Sequence, residues 1–276
     1  MPTNRDRLRR FYDEEHDEWG RLETEVGSYE WATTTRHLAA FLPPPPARVV
    51  DIGGGPGRYA IWLAQRGYDV TLIDLSAYLV EQARRRSADA GVSVNCIAAD
   101  ATNLSMLAND SFDAALSLGP FYHLLDSVER DQAADEMLRV CRPAAAVAVM
   151  LLNRAAGFLD ALASGDLDLF SPRYEALWER IFSEGVYENP GELKGLFIDN
   201  YSVWPSETRN ELERYGLRTE RLVGCEGPLV RFGPALQIAA ENQEAWAFMW
   251  RQAYRFEEHA DWLVLSPHLL WLGRAP

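Results

Sequence analysis

The chain of 276 residues lacks the usual signs of a secreted or metal-binding protein. Its three cysteines, Cys96, Cys141 and Cys225, are far apart and form no CxxC pair, which argues against both a disulfide framework and a zinc site. The polar N-terminal stretch has no apolar core of a signal peptide, and no apolar run is long enough to span a bilayer. We therefore expect a cytoplasmic protein with no membrane partner and no metal.

Acidic residues outnumber basic ones, with 41 Asp and Glu against 27 Lys and Arg. Lys194 is the only lysine, and the formal net charge is -14 at pH 7. A nucleic-acid backbone would repel such a chain, so we expect no nucleic acid among its partners. The hydrophobic fraction of 47% and the charged fraction of 25% are those of an ordinary globular protein, and the length allows a full core.

Four consecutive prolines, Pro43 to Pro46, mark the first boundary in the chain. They cannot donate backbone hydrogen bonds, and they form a stiff connector after a helical segment that carries aromatic residues. Beyond them strand-like and helix-like segments alternate, beginning with ARVVDIG, RYAIWLAQRG and YDVTLID. The alternation predicts an α/β fold with a Rossmann-like, seven-stranded, mostly parallel sheet and helices on both faces.

The regular alternation stops after residue 152, and the later segments predict two insertions into the sheet. We expect a helical N-terminal arm or lid over residues 1–42 and a ligand-binding α/β core over residues 43–152. A substrate cap follows over residues 153–203, and residues 204–276 complete the core around a helical insertion. Ligands bind at the carboxyl ends of the strands in such sheets, so insertions at that edge would build a lid.

The glycine-rich stretch VVDIGGGPGRYA, residues 49–60, predicts a nucleotide-type site. A buried strand ends at Asp51, and a helix starts near Gly57. Glycine lets the backbone approach a ligand closely, and a helix N-terminus favours anionic or hydrogen-bonding groups. The spacing is DxGxGxG through Gly53 and Gly55. It departs from the dinucleotide pattern GxGxxG, because Arg58 stands at the third glycine position.

Two acidic residues follow at the ends of the next two strands. Asp74 lies about twenty residues past the glycines, where a carboxylate accepts both hydroxyls of a ribose. This position alone does not separate NAD from an adenosyl ligand. Asp100 follows the third strand, where its side chain can accept a hydrogen bond from an adenine amino group and Ala101 can offer its backbone N–H.

The stretch SLGPFYHLLD, residues 117–126, follows the fourth strand and carries aromatic residues and a histidine. Tyr122 either contacts a ligand or belongs to the core. His123 has three interpretations. It is a general base that takes a proton from the substrate, a residue that shapes the pocket wall, or a histidine packed at a helix start.

Together the segments VVDIGGGPG, LIDLS, AADATNL and FDAALSLGPFYHLLD, followed by EMLRVCRP, resemble the class I S-adenosylmethionine-dependent methyltransferases. The resemblance covers residues 45–152, and the final HLLWLGR fits the antiparallel last strand of that fold. GPFYHL narrows it to a bacterial small-molecule subgroup with an N-terminal arm and an inserted cap. One departure is Pro143-Ala144-Ala145, because the family usually carries Pro-Gly-Gly before the fifth strand.

The resemblance implies S-adenosyl-L-methionine (SAM) as the cofactor, S-adenosyl-L-homocysteine (SAH) as its product, and a set of site residues. His123 is the candidate catalytic residue. The expected cofactor contacts are Tyr12, Asp51, Gly53, Gly55, Gly57, Asp74, Leu75, Asp100, Ala101, Ser117 and Leu118. The expected substrate contacts are Tyr29, Tyr122, Tyr201 and Trp204, since aromatic side chains suit a flat or apolar acceptor.

These expectations predict methyl transfer to oxygen, nitrogen or an electron-rich carbon of a small aromatic or heterocyclic metabolite of natural-product type. One alternative is an NAD(P)-dependent oxidoreductase, which the missing third glycine and Asp100 disfavour. Another is a SAM-binding regulatory protein without catalysis. RNA methylation is a third, and the net charge weighs against it. A homo-oligomer formed through the N-terminal arm stays open.

Overall fold

The computed structural model describes residues 3–189, 198–232, 236 and 241–276. Three helices precede the proline run: α1 (Asn4–Arg10), α2 (Glu18–Arg21) and α3 (Glu25–Phe41), with a single π turn at Phe11–Glu15. Thr3 and Asp6 cap the start of α1 reciprocally, and the Thr24 side chain caps α3 through the Gly27 amide. The π turn and the short α2 divide the part of the arm before α3 into short pieces.

The central segment alternates between strands and helices as predicted. β1, β2 and β4 each end near a turn that starts the next helix, whereas β3 leads through turns into β4. Ser76 caps α5 as its sequence position suggests. The elements are β1 (Arg48–Ile52), α4 (Arg58–Ala64), β2 (Asp69–Asp74), α5 (Ala77–Asp89), β3 (Asn95–Ala98), β4 (Phe112–Ser117), α6 (Pro120–His123), α7 (Ser127–Val140) and β5 (Cys141–Asn153).

The remaining segment covers residues 154–276. Its elements are α8 (Arg154–Ser164), α9 (Glu175–Glu184), β6 (Val186–Tyr187), β7 (Asn200–Val203), α10 (Thr208–Glu213), β8 (Arg218–Gly224), α11 (Gln243–Ala253), α12 (Ala260–Leu263) and β9 (His268–Arg274). Short 3₁₀ turns lie at Leu167–Phe170, Pro172–Tyr174 and Gly227–Phe232. The stretch KGLFIDNYSVW, residues 194–204, has the composition of a strand or hairpin, and its residues 194–197 lie outside the described residues.

The main sheet has the order β3-β2-β1-β4-β5-β9-β8. Strands β1 to β5 run parallel to one another, and β9 is antiparallel to both β5 and β8. Buried side chains on one face pack with α3, α4 and α5, and those on the other face pack with α7 and α10. The Rossmann-like, mostly parallel sheet with helices on both faces is therefore confirmed.

The predicted strand count of seven is wrong, because the described residues form nine strands. β5 runs on to Asn153 beyond its last pairing with β4, which joins Ser117 to Val149. Leu152 pairs with His268 of β9 along one edge and with Ser202 of β7 along the other. The free edge past the end of β4 is thus filled by β7, and β6 pairs with β7. This two-stranded addition brings the cap beside the end of β4.

Two expectations about the sequence can be compared directly with the fold. All three cysteines are buried and unbonded to one another. None of the described helices combines the length and the apolar composition that crossing a membrane requires.

Ala144 adopts a backbone conformation that favours glycine. Its φ is +60°, in the left-handed region, and it stands where the resembled family usually has glycine. We expect Ala144→Gly to stabilise the protein by about 1 kcal/mol and to raise Tm by roughly 2–4 °C, because the Cβ strain is removed. Calorimetry or chemical denaturation measures the change.

Ala145→Gly provides the matched control at the next position of β5. Ala145 is buried and is not among the residues with positive φ. Glycine there should destabilise the protein by about 0.5–1 kcal/mol through its greater freedom in the unfolded chain. Equal destabilisation by both substitutions would contradict the strain at Ala144.

Candidate cofactor and acceptor site

A cavity opens at the carboxyl ends of β1, β2 and β4 and is roofed by the N-terminal arm. This is the edge where the sequence predicts ligand binding. Of the predicted cofactor residues, nine line it: Tyr12, Asp51, Gly53, Gly55, Asp74, Leu75, Asp100, Ala101 and Leu118. Tyr122 and His123 line the same cavity.

The glycine loop and the stretch after β4 pack directly on each other. The amides of Gly53 and Gly54 both donate to the Ile73 carbonyl, at 2.7 and 3.1 Å, which fixes the loop above β2. Gly53 has a φ of +72°, and a Cβ there would lie 2.2 Å from Cγ of Pro120. Only glycine fits this approach, so the loop's first turn and the Gly119-Pro120 break depend on each other.

Asp74 is held at the end of β2 by two backbone amides. Its Oδ2 accepts from the Gly55 amide and its Oδ1 from the Ser76 amide, both at 2.8 Å. Burial raises the pKa of Asp74 to about 6, although these two hydrogen bonds act in the opposite direction. Each carboxylate oxygen keeps a lone pair for a further donor, which suits a pair of ribose hydroxyls.

Asp51 carries a buried carboxyl oxygen that lacks a hydrogen-bond partner among the described residues. Burial, and secondarily the charge of Asp74, raise the pKa of Asp51 to about 7. A buried carboxyl with an unused acceptor is costly unless a donor or cation meets it. The cationic sulfonium and ammonium of SAM have the chemistry that this atom requires, so the residues present fit the cofactor.

Asp100 lines the cavity, but its carboxylate is already engaged. Both of its oxygens accept hydrogen bonds from the guanidinium of Arg5, and Oδ1 also accepts from the Thr102 amide and hydroxyl, at 2.9 and 2.8 Å. Burial opposes ionisation, but these bonds outweigh it and lower the pKa of Asp100. The predicted role of Asp100 as adenine acceptor would therefore require the arm to share or release this carboxylate. Ala101 lines the cavity beside it.

Arm residues near α2 form part of the cavity that sequence reasoning missed. Arg21 bridges two acids, with Nη2 at 3.0 Å from Oε1 of Glu18 and 3.1 Å from Oε1 of Glu30. All three line the cavity, and the Asp13 side chain accepts a bond from the Ser76 hydroxyl. An acidic run such as residues 13–18 is typical of a solvated helix face, but Asp13 and Glu18 make these contacts instead. The π turn and the break before α2 point these residues inward, and no helical periodicity reveals it.

Three side chains able to ligate a metal, Glu30, Glu226 and His268, come together within the described part of the chain, and Glu30 also lines the cavity. These side chains already form ion pairs with one another. The Glu226 carboxylate accepts from His268 Nδ1, from the His268 amide at 3.1 Å and from the Ser266 hydroxyl at 2.8 Å. Burial opposes protonation of His268, but the charges of Glu226 and Glu30 outweigh it and raise its pKa. We interpret the cluster as a structural ion-pair network.

His123 is hydrogen-bonded through both ring nitrogens. Its Nε2 lies 2.8 Å from the hydroxyl oxygen of Tyr12, and its Nδ1 lies 3.2 Å from the backbone carbonyl oxygen of Asp199. Asp199 precedes β7, so the cap supplies this contact. Burial lowers the pKa of His123 to about 4, so the ring is neutral at pH 7.

The remaining predicted site residues lie outside the cavity lining. Gly57 packs on α5, where a Cβ would lie 3.0 Å from that of Ala83, and Ser117 is buried beneath the site. Tyr29 donates to Glu257 at 3.3 Å. The Tyr201 ring faces the Arg130 guanidinium at 3.6 Å, and Trp204 stacks on Phe182. The structure therefore does not bring the predicted substrate contacts Tyr29, Tyr201 and Trp204 to the cavity.

Comparison with known proteins agrees with this geometry. Residues 49–144, the central part of the α/β core, match the family model described as a methyltransferase domain. A tRNA 5-carboxymethoxyuridine methyltransferase of Escherichia coli K12 is 27% identical over 169 residues, which cover 59% of this chain and 62% of that protein. The match thus spans about three fifths of the relative's length.

Two further proteins are similar in sequence or in structure. A ubiquinone biosynthesis O-methyltransferase of Xanthomonas axonopodis pv. citri is 32% identical over 118 residues, covering 43% of this chain and 48% of that protein. The N-methyltransferase NodS of Bradyrhizobium japonicum WM9, solved with SAH, has a TM-score of 0.58 at 14% identity and covers 99% of this chain and 100% of its own. The family match identifies a methyltransferase domain over residues 49–144, and the likeness to NodS shows that the fold is shared.

Proposed function

We propose that the protein transfers a methyl group from SAM to oxygen, nitrogen or an electron-rich carbon of a small aromatic or heterocyclic metabolite. The observation that carries the proposal is the pair of carboxyl groups at the cavity, that of the buried Asp51 and that of the half-buried Asp74. Asp74 is oriented by two amides with acceptor capacity left over, and Asp51 has an acceptor oxygen without a partner. A ribose diol and a cation satisfy these two positions together.

The cofactor would lie along the carboxyl ends of the first three strands. Asp74 would accept the ribose hydroxyls, and Leu75 and Ala101 would flank the adenine end of the cavity. The oxygen of Asp51 would face the cationic part of the amino-acid moiety. Gly53 and Gly55 leave the loop backbone open to the ligand.

The chemistry supplied by SAM is a methyl group on a sulfonium, which leaves as a neutral thioether. In such an in-line displacement the protein contributes mainly alignment of the acceptor and exclusion of water. The half-buried Tyr12 and the buried Tyr122 both belong to the cavity wall, and their aromatic rings tolerate a cation nearby. His123 lies between them, with its ring 5.5 Å from that of Tyr12 and 4.6 Å from that of Tyr122.

A tRNA acceptor is the second candidate, because one relative is a tRNA methyltransferase. The net charge of -14 weighs against it, since counterion release and steering favour a positively charged surface. We propose the small-molecule acceptor first for this reason.

A screen of product masses tests the activity itself. The protein is incubated with SAM carrying a trideuterated methyl group and either a metabolite library or unmodified tRNA. We expect a small-molecule product heavier by the labelled methyl group, and no labelled nucleoside. A labelled nucleoside would replace the proposed acceptor class, and a co-purified NAD would contradict the cofactor.

Asp74→Ala should weaken SAH binding by about 10- to 100-fold, because hydrogen bonds from the ribose to a charged acceptor are lost. Isothermal titration calorimetry measures the affinity. Asp69→Ala is the matched control, since Asp69 is exposed at the other end of the same strand and pairs with Arg48. Equal affinities for the wild type and Asp74→Ala would contradict the assigned ribose contact.

Binding of SAM at pH 6.5 should release roughly half a proton or more per site. Asp51, with a pKa of about 7, is mostly protonated there in the free protein. A nearby cation favours the carboxylate, so binding lowers the pKa and the proton leaves. Calorimetry in buffers of different ionisation enthalpy measures the release.

Two comparisons test whether the released proton comes from Asp51 and whether the sulfonium charge causes its release. Asp51→Asn should abolish most of it, and SAH, which lacks the sulfonium charge, should cause a smaller release than SAM. Wild-type binding whose apparent enthalpy is the same in every buffer would contradict the assignment of Asp51 to the cationic part of the cofactor.

A further inference from the structure

We propose that Tyr12 and His123 form a proton relay, in which the Tyr12 oxygen takes the proton of an O–H or N–H methyl acceptor while Tyr12 passes its own proton to Nε2 of His123. The inference rests on the proposed methyl transfer and identifies a class of acceptor for it. The sequence suggested a base role for His123 alone and a cofactor contact for Tyr12.

The hydrogen bonds define the direction of the relay. The Asp199 carbonyl can only accept, so His123 Nδ1, at 3.2 Å, carries the hydrogen and donates it. Nε2 is then the unprotonated acceptor, and the Tyr12 hydroxyl, at 2.8 Å, donates to it. Burial raises the pKa of Tyr12 well above its ordinary value, so the phenol holds its proton until His123 accepts it.

The position of Tyr12 makes it the group that meets the acceptor. Its hydroxyl engages the lone pair of Nε2, so a proton that enters the cavity reaches that nitrogen through the Tyr12 oxygen. Both side chains line the cavity, and α1 and the turn after it hold Tyr12 there. Asn4 donates to the His123 carbonyl at 3.2 Å, which ties the start of the arm to the same residue.

The relay conserves charge inside the cavity. The acceptor atom forms a bond to the methyl carbon, the carbon–sulfur bond breaks, and its electron pair goes to sulfur. The acceptor's proton moves to the Tyr12 oxygen, and the Tyr12 proton moves to Nε2. The positive charge thus passes from the sulfonium to the imidazolium, Tyr12 is regenerated as a neutral phenol, and bulk water later removes the proton from His123.

This transfer of positive charge from the sulfonium to the imidazolium explains why a buried histidine can accept a proton during the reaction. With the pKa of His123 near 4, an imidazolium is unfavourable in the free protein, mainly because of burial. A cation already present in the cavity would disfavour it further, and the loss of that cation in the transfer removes the repulsion at the moment the proton arrives. Glu18 and Asp199 favour the imidazolium, and His16 disfavours it. Arg7 pairs with the Asp199 carboxylate, and Tyr122 lies against the ring.

The relay selects acceptors that must lose a proton. A phenol, an alcohol or an N–H heterocycle needs such a path, whereas a carboxylate or a tertiary amine does not. We therefore infer a neutral hydroxyl or N–H acceptor.

Nitrogen-15 NMR of the His123 ring tests the pair without knowledge of the acceptor. At pH 7 we expect the neutral tautomer with hydrogen on Nδ1, and a shifted Nε2 resonance in Tyr12→Phe but not in Tyr68→Phe. Tyr68 is the control because its hydroxyl donates to the Pro43 carbonyl at 2.9 Å, away from the cavity. A ring protonated on Nε2, or a resonance insensitive to Tyr12→Phe, would overturn the relay.

Titration of the same resonances with two cofactor forms tests the charge exchange. The pKa of His123 should be lower by about one unit with SAM bound than with SAH bound, because only SAM carries the sulfonium. Equal values in the two complexes would overturn the exchange. Failure of both SAM and SAH to bind would instead overturn the proposed function, so the two failures are distinguishable.

Turnover tests the proton transfer itself, with an O–H or N–H acceptor that the mass screen selects. Tyr12→Phe and His123→Gln should each lower kcat by at least about tenfold while SAH affinity is kept, and each should alter the pH profile of kcat. The double variant should be no slower than the slower single variant, because one path is removed. Losses that multiply, or a selected acceptor that has no proton to lose, would overturn the proposal.

Discussion

The close packing of the glycine loop against the stretch after β4 is the constraint on which the site depends. Gly53 has no space for a Cβ beside Pro120, so the loop above β1 and the turn above β4 hold one position relative to each other. The parallel pairing of β1 with β2 and β4 brings Asp51, Asp74 and the His123 turn to one edge of the sheet. This packing and this strand pairing form the cavity, because together they hold the polar groups of Asp51, Asp74 and His123 at one place from which water is excluded.

Burial then gives these groups their chemistry. Two carboxyl groups with raised pKa values and a histidine with a lowered one lie around one cavity. Burial is the largest cause of each pKa shift. Each shift makes the protonation state of the group sensitive to a cation beside it. A cofactor that carries a positive charge into the cavity, and loses it in the reaction, would couple the protonation states of the carboxyl groups and the histidine to methyl transfer.

Much of the core was predictable because local patterns and tertiary contacts agree there. The first three residues of the DxGxGxG pattern, Asp74 at the end of β2 and the aromatic stretch after β4 all reach the cavity, since the carboxyl ends of parallel strands meet at one edge. The arm and the cap were less predictable. Asp100 is engaged by Arg5, about a hundred residues away in sequence, and no local pattern encodes such an ion pair. The predicted number of strands was wrong because β7 pairs with the edge of β5 that is left free where β5 extends past the end of β4.

The sequence by itself determined the alternating α/β core, its glycine loop and the order of the acidic residues, because these depend on near-neighbour periodicity and turn chemistry. Tertiary structure alone decided what surrounds them. It joined Tyr12 to His123 across 111 positions of sequence and brought the Asp199 carbonyl from the cap to fix the histidine tautomer. It also placed Tyr29, Tyr201 and Trp204 in packing contacts away from the cavity. Such pairings depend on how distant elements meet at a sheet edge, and composition and spacing do not specify that geometry.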